Sequence, residues 1–230
     1  IAERLRADVE AGTFPAGSKL PTEAELAARF RVNRHTVRQA LSNLEQDGLI
    51  QVTQGRGRFV APSLVDYQLG ARTRFSQNLA ALARTPGREV IDVVRVPADA
   101  TVAEALELSV GAFVWRAETT GAADGVPLSH SFHYFSVDRF PELDRVIREE
   151  GSITRALARA GVTDYTRRTT RLSAQLSDGD DAEALEMAPR RPILQSENIN
   201  VDAAGRPLEY GISRFAGDRL QVVVETRDLG

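Results

Sequence analysis

Two stretches of this chain carry the same plan, and that duplication constrains the fold more than any other feature. Ala103–Leu108 reads AEALEL and Ala182–Met187 reads AEALEM. Both words have helical character, and Thr101 and Glu104 are spaced as a capping box before the first. Each leads into a run with strand character, AFVWRAETT and PILQSENIN. Each run meets a Gly-containing turn, AADGVPL and DAAGRPL, and then a returning strand, SHSFHYF and EYGISRF. Residues 71–230 are therefore expected to hold two copies of helix, strand, hairpin, strand. Between the copies, Ser129 corresponds to Glu209 and Glu118 to Asn198. Two such units predict an antiparallel sheet with helices on one side, an α+β body. The intervening DRFPELDRVIREE and SITRALARAG read as helices, and YTRRTTRLSAQL and the late LQVVVETRD as strands.

The first 62 residues follow a different pattern. Ile1 to Glu10 has Leu5 and Val9 in helical step, and Ile1 already stands inside that helix, so a few further amino-terminal residues are expected. After a turn-rich GTFPAGSKLP, Thr22 and Glu25 mark a second helix whose buried side is Leu26, Ala27 and Phe30. A short turn leads to Asn33–Gln46, NRHTVRQALSNLEQ. There Val37, Ala40, Leu41 and Leu44 form an apolar stripe, while Arg34, His35, Arg38 and Gln39 lie mostly off it. Arg can pair bidentately with guanine and Gln with adenine, which suits the major groove. After Gly48, LIQVTQGRGRFVA reads as a hairpin around Gln54–Gly57. Gly55 and Gly57 permit close backbone approach, and Arg56 and Arg58 can meet phosphate.

The net charge of −3 argues against a nucleic-acid partner until it is divided. Residues 1–62 carry nine Lys/Arg and seven Asp/Glu, a balance of +2; the remainder carries 20 against 25, a balance of −5. A basic head on an acidic body fits a small DNA-reading domain attached to something else. The chain has no Cys, which excludes disulfides, thiolate metal sites and a cysteine nucleophile. No apolar run approaches a membrane span, and a cytoplasmic location is expected.

The stretch GSKLPTEAELAARFRVNRHTVRQALSNLEQDGLIQVTQGRGRFV resembles the winged-helix domain of the GntR family of bacterial transcription regulators, with LPTEAELA, VNRHTVRQAL and GRGRFV in the right order and spacing. The resemblance implies a winged helix-turn-helix over residues 1–62, a linker over 63–70, and DNA contacts from Arg34, Thr36, Arg38, Gly55 and Arg56. His35, Gln39 and Gly57 join them from the reading of the helix and hairpin. Many members carry Arg where this chain has Ala24, which implies fewer contacts from the second helix. Head and duplicated body together resemble the HutC-type branch, whose effector domain (UTRA) is similar to chorismate lyase. TRFSQNLAALARTPGREVI is similar to part of the phosphonate-utilisation regulators of that branch.

The lyase likeness raises an enzyme as the alternative, with the head as a tether. His35 belongs to the DNA helix, while His130 and His133 have opposite strand parity and point to opposite faces. Neither a nucleophile with its base nor a two-His metal site follows, so no catalysis, metal or cofactor is expected. A pocket for a small anion is the better use of the body, since fixed cations, hydroxyls and exposed N–H groups suit one. Candidates are Arg74, Phe75 and Ser76 in TRFS, Arg116 with Glu118 on one strand face, Ser152 at a helix amino end, and Glu209, where the family commonly places an acid towards ligand. Arg167, Arg168 and Arg171 read as a solvated edge. Sugar-phosphate-sensing members often carry R-x-R before the first hairpin turn; Glu118-Thr119-Thr120-Gly121 stands here instead. That favours phosphate, a phosphonate or another small metabolite. The expected protein is a repressor of phosphate or phosphonate genes, bound as a homodimer to inverted-repeat operator DNA. A regulator of another catabolic operon, of sugar-phosphate or histidine/urocanate type, is the other reading.

Overall fold

The computed structural model describes residues 1–53, 56–61, 64–70 and 85–225. The chain divides into two compact units, Ile1–Leu64 and Val65–Gly230. In the first, α1 (Ala2–Glu10), α2 (Glu23–Phe30) and α3 (Arg34–Gln46) precede an antiparallel hairpin of β1 (Ile50–Thr53) and β2 (Gly57–Val60). The T-x-x-E spacing sets the start of α2: the Thr22 hydroxyl accepts from the Glu25 N–H, and the Glu25 carboxylate accepts from the Thr22 N–H at 2.7 Å. Arg31 ends that helix in the left-handed region at φ 55. Asn33 caps α3, its Oδ1 accepting from the Thr36 N–H at 2.8 Å. The apolar stripe of α3 is buried with Leu5, Leu26, Ile50 and Val60 in one core. Gly57 sits at φ +113, a backbone conformation that residues with a Cβ rarely adopt, so the wing favours glycine at this point.

The second unit begins with β3 (Val65–Gln68) and continues through β4 (Pro86–Pro97), α4 (Ala100–Leu106), β5 (Phe113–Ala123), β6 (Val126–Ser136), α5 (Leu143–Glu150), α6 (Ile153–Arg159), β7 (Thr166–Leu176), α7 (Gly179–Ala184), β8 (Pro192–Val201), β9 (Pro207–Ala216) and β10 (Leu220–Val223). Six strands form an antiparallel sheet in the order β4-β5-β6-β9-β8-β7. The duplication is visible in that order. The triplet β4-β5-β6 is related to β7-β8-β9 by a pseudo-two-fold through the central β6–β9 pair, where Phe132 stands opposite its own counterpart Ile212. α4 and α7 are the repeated helices. Asp99 and Asp178 cap them, and Glu107 and Glu186 leave them in the left-handed region at φ 56 and φ 47. The hairpin turns match too, with Gly125 at φ +81 and Gly205 at φ +77.

Four features depart from the sequence expectation. Val65–Gln68 is a strand, paired in parallel with β10, and belongs to the body instead of a linker. β4 is a full member of the sheet that the duplicated words did not announce. Asp99 replaces Thr101 as the cap of α4, because its carboxylate accepts from the Val102 N–H at 2.8 Å. Helices cover both faces of the sheet. α4 packs Val102, Ala103 and Leu106 with Val114, whereas α5 and α6 pack Leu143, Ile147, Ile153 and Leu157 with Ala117 and Phe135. Val114 and Ala117 differ in strand parity, so the two clusters lie on opposite faces.

Candidate functional site

The head presents a polar surface at the amino end of α3. Arg34, His35, Thr36, Arg38 and Gln39 are exposed, as are Arg56 and Gly57 on the wing; Gly55 lies outside the described residues. Local bonds already orient several of them. The Thr36 hydroxyl donates to Asn33 Oδ1 at 2.9 Å, and Gln39 Nε2 donates to Asn43 Oδ1 at 3.2 Å. Arg38 is held by a residue the sequence did not single out. Glu23 accepts from Arg38 Nη2 at 2.8 Å and from Arg58 Nη1 at 2.9 Å. The available signal was an acid in the first turn of α2, inside LPTEAELA.

Hydrogen bonding to Arg38 outweighs burial and, with Arg58, brings the Glu23 pKa down to about 2. A carboxylate whose folded value is depressed stabilises the fold above its unfolded value and loses that contribution as pH falls through the folded one. Wild-type and Glu23→Gln proteins should therefore differ most in melting temperature above about pH 4.5, and converge as pH approaches about 2. A gap that stays constant across this range would show that Glu23 is not the titrating group.

In the body, a polar cavity of about 60 Å³ opens on the α5/α6 face of the sheet. The central strands contribute Ser129, Ser131 and His133 from β6, and Glu209 and Ser213 from β9. Asn198 and Asn200 come from β8, Arg167 from β7 and Arg88 from β4, and Tyr67 and Tyr165 complete the wall. Glu209 is buried in its wall. His133 Nδ1 lies 2.6 Å from Oε1, and Asn200 Nδ2 donates to Oε2 at 2.6 Å. Burial opposes the Glu209 charge, but His133, Asn200 and Arg167 outweigh it and hold the carboxyl below its usual range. Burial lowers the pKa of Arg88, against the opposing influence of Tyr67, Glu209 and Tyr165. Arg167 has a buried Nε with no hydrogen-bond partner among the described residues. Gly211 is the counterpart of Ser131, and a Cβ there would lie 3.0 Å from the Asn198 amide, so glycine leaves room for that side chain.

The structure brings only some of the expected effector residues together. Glu209 lines the cavity. Arg116 and Glu118, expected in the pocket, lie on the opposite face of the sheet from this cavity. Arg116 lies over the Phe132 ring, 6.0 Å from its centroid, and Glu118 Oε1 is 2.9 Å from His130 Nε2. Helices lie on both faces of the sheet, and the cavity forms on the α5/α6 face, opposite the one that carries Arg116 and Glu118. Ser152 caps α6, accepting from the Arg155 N–H, while its neighbours Ile153 and Thr154 reach the cavity. Arg74, Phe75 and Ser76 lie outside the described residues. Arg167, expected on a solvated edge, instead lines the cavity beside a register shift between Arg167 and Thr169; Arg168 pairs outward with Glu107 at 2.8 Å. Arg88 had no sequence signal, because β4 itself was not foreseen.

His130 and His133 do point to opposite faces: His130 joins Asp181 and Glu118, and His133 joins Glu209. His133 Nε2 is also 3.2 Å from the Thr119 hydroxyl. Thr119, His133 and Glu209 thus have the connectivity of a hydrolase relay. Thr119 is 1% exposed and is not part of the cavity wall, so its hydroxyl cannot reach a substrate. Among the described residues no group of His, Asp and Glu is arranged to hold a metal ion, and no helix is long and apolar enough to cross a membrane.

A winged helix-turn-helix followed by a duplicated sheet domain with an internal polar cavity defines a transcription regulator that carries a small-molecule-binding domain. Comparison with protein families agrees. Residues 1–60 match the model of bacterial regulatory proteins of the gntR family, and residues 81–221 match the UTRA domain. The chain belongs to the GntR family, in its HutC-type branch with a UTRA effector domain, and is not an enzyme. It is 35% identical to the probable transcriptional regulator PhnF of Escherichia coli, over 92% of this chain and 88% of that one. It is 28% identical to the HTH-type transcriptional repressor PhnF of Mycolicibacterium smegmatis, over 89% and 82% respectively. The crystal structure of PhnF from Mycobacterium smegmatis superposes with a TM-score of 0.67 at 26% identity, covering 98% of both chains.

Proposed function

We propose that this regulator represses genes for phosphate or phosphonate uptake or utilisation in the cytoplasm, and leaves its operator when a small anion fills the sheet cavity. The cavity carries the effector half of this reading. Two guanidinium groups, Arg88 and Arg167, share about 60 Å³ with serine hydroxyls and asparagine amides. That is room for a phosphate-sized group. Charge-assisted bonds from arginine are the strong way to hold such an oxyanion. Likeness to the PhnF proteins and the absence of R-x-R before Gly121 point the same way.

The operator half follows from the head. Arg34, His35, Thr36, Arg38 and Gln39 would enter the major groove, with Arg56 and Gly57 at the flanking backbone. A homodimer on an inverted repeat places two such helices about one DNA turn apart. Release requires the anion to bind the non-fitting arrangement of heads more tightly than the fitting one.

A melting screen with inorganic phosphate, methylphosphonate, 2-aminoethylphosphonate and glucosamine 6-phosphate, joined to gel shifts on the protein's own promoter, tests both halves. Phosphate or a phosphonate should raise the melting temperature and abolish the shift. At about a hundredfold excess over Kd the stabilisation is about 2.7 kcal/mol. Stabilisation by the sugar phosphate alone would favour an amino-sugar regulator, and the absence of any sequence-selective shift would sink the operator reading.

A further inference from the structure

One carboxylate in the head joins three elements that are distant in sequence. Glu23 opens α2, Arg38 lies on α3 and Arg58 on β2. Glu23 Oε1 accepts from Arg38 Nε at 3.1 Å and from Arg58 Nη1 at 2.9 Å; Oε2 accepts from Arg38 Nη2 at 2.8 Å and from Nε at 3.2 Å. The Glu23 side chain is 20% exposed, whereas Arg38 remains 63% exposed. Its Nε–Nη2 edge is therefore occupied, and Nη1 has no partner among the described residues.

A guanidinium carries five N–H donors in a rigid plane. Clamping one edge fixes the plane and leaves the outer end to donate. Guanine offers O6 and N7 side by side in the major groove, the acceptor pair such an end can meet. An unclamped arginine on an exposed helix must give up rotamer freedom on binding and can settle on phosphate as readily as on a base. The clamp supplies that order in advance. The Glu23 charge also repels phosphate oxygens from the two arginines it holds.

We infer that Glu23 is a specificity-determining positioning residue, which aims the outer end of Arg38 at one guanine of the operator and withholds Arg38 and Arg58 from indiscriminate phosphate contacts. The inference rests on the operator-binding reading. It assigns to Glu23 part of the role that Ala24 cannot fill, because Ala24 brings no donor to the groove and Glu23 acts through one that is already there.

The test uses the full chain, wild type and Glu23→Gln, with fluorescence anisotropy on the promoter operator, on each single-base-pair variant of it, and on mixed-sequence DNA over a range of salt. Wild-type discrimination on the order of tenfold at one G·C pair should collapse in Glu23→Gln and persist at every other position. Affinity for mixed-sequence DNA should rise, with a salt dependence steeper by about one to two ions. In an Arg38→Ala background, Glu23→Gln should change discrimination at that pair no further. Unchanged discrimination at every pair, equal weakening on all sequences, or a further loss in the Arg38→Ala background would each overturn the inference. A wild type with no preference at any pair would overturn the operator reading, and this inference with it, before any variant is compared.

Discussion

Leu41→Ala is expected to unfold the winged head and abolish DNA binding. Leu41 is fully buried on α3, in a core shared with Leu5, Leu26, Val37, Leu44 and Ile50. Removing such a side chain costs about 2–5 kcal/mol through lost transfer energy and the cavity left behind. A unit of this size rarely holds more than about 3–5 kcal/mol of net stability from one core, so the substitution spends most or all of it. The body has separate cores around Phe135 and around Val114 and should keep its own melting transition and anion binding. Circular dichroism and calorimetry on the full chain would show a lost or lowered first transition beside an unchanged second. Loss of both transitions together would show that the two units fold as one.

The second large effect belongs to Glu209. Glu209→Ala leaves His133 Nδ1 and Asn200 Nδ2, both buried, without their acceptor, and removes the carboxylate nearest the cavity cations. Breaking a buried pair on one side costs about 3–5 kcal/mol, because the remaining partner stays desolvated. Denaturant unfolding of the body should report that loss at neutral pH. Since the folded Glu209 value is depressed, wild type keeps this contribution above the usual carboxylate range and loses it only in more acidic solution. Inorganic phosphate should stabilise the variant more than wild type, as an added anion takes over the role of the missing one. If phosphate stabilises both equally, the anion does not sit beside Glu209.

The head was almost wholly legible because its determinants are local. The T-x-x-E box, the Asn33 cap, the helical stripe from Val37 to Leu44 and the Gly-rich hairpin each act within a few residues, and each stands where the spacing puts it. Glu23 escaped notice because its partners, Arg38 and Arg58, are brought to it only by packing. The body was legible as a duplication, down to its helices and hairpin turns, for the same local reason. β3 and β4 lie outside the repeated words, and with them went Tyr67 and Arg88 of the cavity wall.

What the sequence determined alone was composition of faces: strand parity separates His130 from His133 and Arg116 from Ala117 whatever the neighbours are. Which face becomes the pocket was decided by tertiary structure, through two events that leave no mark in a single strand. Helices pack on both sides, and the cavity forms beneath α5 and α6, on the face opposite α4 and α7. Cross-strand register also corrects the expected equivalence of Glu118 with Asn198: Glu118 pairs with Phe132, and the residue that pairs with the counterpart Ile212 is Glu197. Side chains alternate faces along a strand. Asn198, one position on, therefore enters the cavity beside Glu209, while Glu118 faces away towards His130.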